Sequence, residues 1–69
     1  MEGELTDAMV TAFQAHSDAW AFYQAQPAGY RRHSARWVTS AKREATRERR
    51  LATLIDDSSN QLRIKHLRR

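Results

Sequence analysis

Seven cations in one stretch are the side chains best suited to chemistry: Arg31, Arg32, Arg36, Lys42, Arg43, Arg47 and Arg50. They lie in YRRHSARWVTSAKREATRERR, Tyr30 to Arg50, which holds eight of the twelve Lys and Arg in the 69 residues. A guanidinium offers a planar fork of donors that binds two oxygens at once, so the cluster suits phosphate or carboxylate. On a helix, at about 100° per residue, Arg32, Arg36 and Arg43 share one face, and Arg47 and Arg50 extend it across a bend. Like charges spaced as Arg43 and Arg47 repel at helical contact distance, which favours a use for them. The competing reading is a solvated face, partly neutralised by the acidic first half of the chain. Small Thr39 and Ser40 alternate with the arginines, and reading bases needs side chains at base edges. General anion contact is therefore expected ahead of sequence recognition.

No other residues form a catalytic or metal-binding set. His16, His33 and His66 fall on three different segments without paired ligand spacing. Ser34 follows His33 directly, and helix neighbours point apart, so the two are no nucleophile–base pair. Asp56-Asp57 reads as a helix-end pair, and one carboxylate pair without a pocket is not a hydrolase. With only Gly3 and Gly29, the chain has no glycine loop to cradle a nucleotide. Neither an enzyme nor a cofactor is expected. Trp20, Phe22, Tyr23, Tyr30 and Trp37 could stack on bases, but their helical spacing fits core packing better.

Something must position the basic stretch, and a chain this short has little core to do it. A single core of this size supplies about 3–5 kcal/mol of net stability. The mean hydropathy of −0.82 and 41% hydrophobic content are slightly low for a packed domain. A longer parent protein or self-association would help. There is no cysteine, so no disulfide or thiolate metal site staples the fold, which suits a reducing compartment. No apolar run nears the roughly 20 residues of a membrane span, and no signal-peptide pattern opens the chain. The reading is a soluble, cytoplasmic protein.

Charge is segregated. Residues 1–30 carry Glu2, Glu4, Asp7 and Asp18 with no Lys or Arg, a net −4. Residues 31–50 carry eight cations against Glu44 and Glu48, a net +6, and 51–69 carry four against Asp56 and Asp57, a net +2. Such asymmetry implies pairing of the two halves or an anionic partner.

In chain order, Met1 to Glu4 should be frayed. Thr6 is the expected N-cap of a first helix, with Asp7 in its first turn. Leu5, Ala8, Met9, Ala12 and Phe13 form its apolar stripe, ending near Ala15. Ser17-Asp18 repeats the start signal for a second helix carrying Ala19, Trp20, Phe22 and Tyr23, which Gln26-Pro27 stops. Neither is long enough to be stable alone. A third helix should begin around Gly29 or Tyr30 after the Pro27-Ala28-Gly29 turn. It puts Tyr30, Ser34, Trp37 and Ala41 on one face, with Val38 at its edge and Trp37 at the centre of the core. An unbroken continuation would set Glu48 on that stripe and rotate Leu51, Leu54 and Ile55 away. A break near Ala41 to Glu44 is therefore predicted, braced by the Thr46 hydroxyl, with the Lys42 stem lying over the aromatic core. A fourth helix then runs from about Glu44 to Asp57 and ends at Ser58-Ser59-Asn60. From Gln61 to Arg69 no period emerges and mostly coil is expected. The fold class is all-α: a small bundle of three to four short helices over residues 5–57, with a basic tail over 58–69.

WVTSAKREATRERR, preceded by Pro27 and Tyr30-Arg31-Arg32, resembles the C-terminal signature of the bacteriocin-protection, YdeI/OmpD-associated bacterial proteins. The shared pattern is an aromatic-led Arg pair, then Trp, Ala-Lys, Thr-Arg and a further Arg. Here these are Tyr30, Arg31, Arg32, Trp37, Ala41, Lys42, Thr46, Arg47 and Arg50. The resemblance covers roughly residues 5 to 57. Gln26 and Gly29 stand where the family has an apolar residue and a serine, so a differently capped turn is expected. Glu44 stands where proline is common. The resemblance implies an all-helical region that often follows a separate N-terminal domain, so the chain suits a fragment or a short stand-alone relative. It also implies a link to protection against bacteriocins or cationic antimicrobial peptides and to an outer-membrane porin, with no catalytic residue to carry across. The function expected is a non-enzymatic stress or envelope-protection module acting through protein or anion contacts. A nucleic-acid-binding accessory domain is the alternative.

Overall fold

Thr6 starts the first helix. Its extended backbone and its Oγ1, which accepts from the Met9 N–H at 3.2 Å, cap α1 (Asp7–Gln14). The computed structural model describes residues 4–67, so the fraying expected of Met1 to Glu4 falls, apart from Glu4 itself, outside the described residues, as do the last two residues of the tail. The second helix, α2 (Ser17–Gln24), begins at the Ser17-Asp18 signal, and His16 precedes it as a cap without a side-chain bond. Pro27 then stands as the extended residue before α3 (Ala28–Thr39), one or two residues ahead of the expected start. Next come a three-residue loop after Ser40 and α4 (Glu44–Ser59), followed by a 3₁₀ turn at Lys65–Leu67. The fold is all-α, as expected.

The break between α3 and α4 falls where the rotating apolar stripe required it. Arg43 is extended (φ −92°, ψ 137°) and Glu44 opens α4 with a carboxylate at the positive end of the dipole. At the far end, Gln61 takes a left-handed φ of 61°. Its N–H donates to the Ser58 carbonyl at 3.0 Å and the Leu62 N–H to the Asp57 carbonyl at 2.8 Å. This is the Schellman arrangement, built on glutamine in a chain with almost no glycine.

That reversal sends the tail back onto the protein. Gln61 to Leu67 is not loose coil: Ile64 is only 1% exposed and joins Phe13, Leu54 and Val38 in the core, with Leu67 packed alongside. The buried Ile64 N–H donates to the Tyr30 hydroxyl at 2.9 Å. Arg63 Nε donates to Gln26 Oε1 at 2.8 Å, and its guanidinium sits 5.3 Å from the Tyr30 ring centroid. Gln26 also donates from Nε2 to the Phe22 carbonyl at 3.2 Å, so this residue fixes the α2–α3 turn and the tail together. No period marks such a segment, because a single inward isoleucine has none.

The longest helix, α4, receives both α2 and α3, while α1 rests mainly on α2. Phe13 meets Trp20 edge-on (centroids 5.3 Å, 65°) and Tyr23 at a tilt (4.8 Å, 37°). On α3 the buried residues are Tyr30, Ser34, Ala35 and Val38. Trp37 is therefore not the centre of the core: it is half-buried and packs against it from one side. Val38, expected at the edge of the stripe, is fully buried in its place. Arg50 lies over the Trp37 ring. Among the described residues, no helix is long and apolar enough to cross a membrane.

Candidate functional site: the basic face of the third helix

Helices leave their last carbonyls without intrahelical partners, and glycine caps are the common remedy. This chain has only two glycines, and Gly29, the one among the described residues, lies in the first turn of α3 and closes no helix. Three of the seven candidate cations bond backbone carbonyls, Arg50 within the last turn of a helix and Arg31 and Arg47 in the turns that follow one. Arg31 is half-buried and donates from Nε to the Gln26 carbonyl at 3.1 Å, just past the end of α2. Arg50 donates from a terminal nitrogen to the Trp37 carbonyl in the last turn of α3 at 2.8 Å, with its guanidinium carbon 5.3 Å from the Trp37 ring centroid. A cation there also suits the negative end of the helix dipole. Covering that ring keeps Trp37 at the surface side of α3, since a guanidinium must stay near water.

The α3–α4 bend is held in the same way. One Arg47 terminal nitrogen donates to the Ala41 carbonyl at 2.9 Å and the Lys42 carbonyl at 3.0 Å. Thr46, expected to brace this bend with its hydroxyl, is half-buried beside it, and the brace is Arg47. Lys42 does not lie over the aromatic core either. Its side chain is exposed and only its carbonyl serves the bend.

The other four candidates, Arg32, Arg36, Lys42 and Arg43, are exposed. No hydrogen bond or ion pair to another described residue holds their side chains. Arg32 and Arg36 stand one turn apart on α3, and Lys42 and Arg43 follow on the loop. Thus the run divides between arginines spent on backbone carbonyls and cations presented to solvent. Sequence spacing does not separate the two groups, because a carbonyl partner leaves no mark in the sequence.

Ser34, next to His33, is fully buried and donates to the Arg31 carbonyl at 3.1 Å, with the Tyr23 hydroxyl 3.5 Å away. The Tyr23 hydroxyl donates to the same carbonyl at 2.9 Å. His33 faces solvent. Among the described residues, no three His, Asp or Glu side chains converge on a point that could hold a metal ion.

Burial pushes both core phenols above their ordinary value of 10.0; hydrogen bonds from Ser34 to Tyr23 and from the Ile64 N–H to Tyr30 draw them partly back. A raised folded value means the unfolded chain releases its phenol protons first. The protection is complete below the ordinary value of 10.0 and is lost as pH rises through and beyond it. Helicity followed from pH 8 upward should hold to about pH 10 and then fall with phenolate absorbance, while Tyr30→Phe should blunt that alkaline loss.

The family model described as bacteriocin-protection, YdeI or OmpD-associated matches residues 2–61, which takes in all four helices and the whole basic stretch. No curated protein and no solved structure matches the chain. The match spans most of the 69 residues and contains the signature from Tyr30 to Arg50, and the chain belongs to the bacteriocin-protection, YdeI or OmpD-associated family.

Proposed function

We propose that this chain is a non-enzymatic protection module that works by contact, with Arg32, Arg36, Lys42 and Arg43 engaging an anionic partner. The family's description supplies the biology, protection against bacteriocins. The observation that carries the chemistry is the division of the basic run: after three arginines are committed to carbonyls five exposed cations remain, Arg49 with the four named. Desolvating a charge without a use is costly, whereas leaving it hydrated on a helix face keeps its full attraction for phosphate or carboxylate. The partner class is an acidic protein surface or an anionic polymer.

Titration against DNA, RNA and a simple polyanion over a salt series tests this. Binding should weaken steeply with salt, and Arg32→Ala or Arg36→Ala should lower the slope by about one unit at most, alike for every polymer. A substitution that removes preference for one nucleic-acid sequence while sparing the simple polyanion would assign the face to nucleic-acid recognition. No binding at low salt would leave it a solvated face.

A further inference from the structure

We propose that residues 61–67 form a latch that opens as one unit about Gln61 while the helices stay folded. This goes beyond the anion-contact reading and does not rest on it. The closed position carries two costs, both where the tail leaves α4. Gln61 holds a left-handed φ of 61°, which crowds its Cβ against the following carbonyl, a strain that glycine would not feel. Three residues earlier the Ser58 hydroxyl is fully buried, and no hydrogen-bond partner reaches it among the described residues. A hydroxyl in that condition has lost its water without compensation.

Few contacts offset these costs. Among the described side chains of the tail, Ile64 alone is buried, Arg63 and Leu67 are half-buried, and Leu62 and Lys65 face solvent. The receiving side is as narrow. The Tyr30 hydroxyl accepts from the Ile64 N–H, and Gln26 Oε1 accepts from Arg63 Nε, whose guanidinium also faces the Tyr30 ring. Arg63 and Ile64 are neighbours and both meet Tyr30, so they leave together. The helices keep contacts of their own, α4 with α2 and α3, and α1 with α2.

Opening then runs to the hinge and stops there. Turning Gln61 to right-handed values relieves its φ and releases two bonds, from its own N–H to the Ser58 carbonyl and from the Leu62 N–H to the Asp57 carbonyl. Both carbonyls belong to the last turn of α4, where water can replace a lost partner. Ser58 lies one turn beyond Leu54 on the buried face of α4, and Ile64 joins Leu54 in the core, so lifting the tail lets water reach the Ser58 hydroxyl. Opening also bares the Tyr30 hydroxyl and the part of the core that Ile64 covers. The tail is thus a strap beside the α2–α3 turn, strained at its hinge and closed by one buried residue.

Native-state hydrogen exchange of the full chain, followed amide by amide over low denaturant concentrations, tests the latch. The Leu62 and Ile64 amides should share one protection factor, about tenfold or more below that of Leu54 and Ile55 in the middle of α4. Their exchange should hardly respond to denaturant, whereas the α4 amides, which open only by unfolding, should accelerate with it. Gln61→Gly should slow exchange at Leu62 and Ile64 by about fivefold or more, because it removes the strain of the closed position. Gln61 is exposed, so this variant keeps the fold. Ser58→Ala takes away the unpartnered hydroxyl and should slow the exchange as well. Protection at Ile64 equal to that at Leu54 would overturn the proposal, since the tail would then leave only with the whole fold. So would unequal protection at Leu62 and Ile64, which is fraying and not a unit, or unchanged rates in either variant.

Discussion

Phe13→Ala is expected to abolish the cooperative thermal transition. The side chain is fully buried, meets Trp20 and Tyr23 ring to ring, and joins α1 to α2. Truncating a buried Phe costs about 3–5 kcal/mol through lost transfer energy and the cavity left behind. The whole net stability of so small a core is about the same. Neighbouring groups cannot refill the space cheaply, because the facing side chains are themselves rigid rings. Circular dichroism during heating is the measurement, and a sharp melt near the original midpoint would contradict this packing. Trp37, half-buried under Arg50, should be the milder site of the two.

Ile64→Ala should come close to the same effect. A residue so near the end of a 69-residue chain would ordinarily be dispensable. Here it is 1% exposed and sits in the cluster with Phe13, Tyr30 and Leu54. The lost methyl groups cost about 2–5 kcal/mol. Loosening the segment also endangers the Ile64 N–H bond to Tyr30, and a buried donor left unsatisfied costs about 1–3 kcal/mol more. Denaturant unfolding would report it as a lower midpoint. Leu62→Ala is the control: that side chain is 44% exposed and should change little. Equal effects at the two positions would mean that the tail contributes only loosely.

The helices were legible because caps and breakers act locally. Thr6, Ser17-Asp18, Gln26-Pro27 and the rotation between Trp37 and Leu54 each decide a boundary within a few residues, and the boundaries agree to within about two. The stripe of α1 was legible only in part: Phe13 is buried and Met9 half-buried, while Ala8 and Ala12, too small to reach the core, stay exposed. On α3 the predicted face is slightly rotated, since helical periodicity cannot know that Arg50, thirteen residues later, covers Trp37. The lack of regular structure over 62–64 was legible, but the inward path of the tail was not, because it follows from a left-handed Gln61, a conformation that glutamine does not advertise. For the site, the residue types marked seven candidate cations without separating those bonded to carbonyls from those left exposed. Which cations are exposed depended on the free carbonyls near them, and those exist only once the helices have ended.

The arginines bound to carbonyls carry a consequence for how such chains are compared. Arg31, Arg47 and Arg50 all belong to the recognisable signature, yet each answers to the backbone of its own molecule. A match achieved through them transfers architecture from one chain to another and is silent about what either chain engages. Two members could agree at all three, differ at the positions of Arg36 and Arg43, which the signature leaves out, and share a shape while serving unrelated clients. Specificity in such a lineage would drift through the solvent-facing cations outside the motif, beneath a pattern that stays constant.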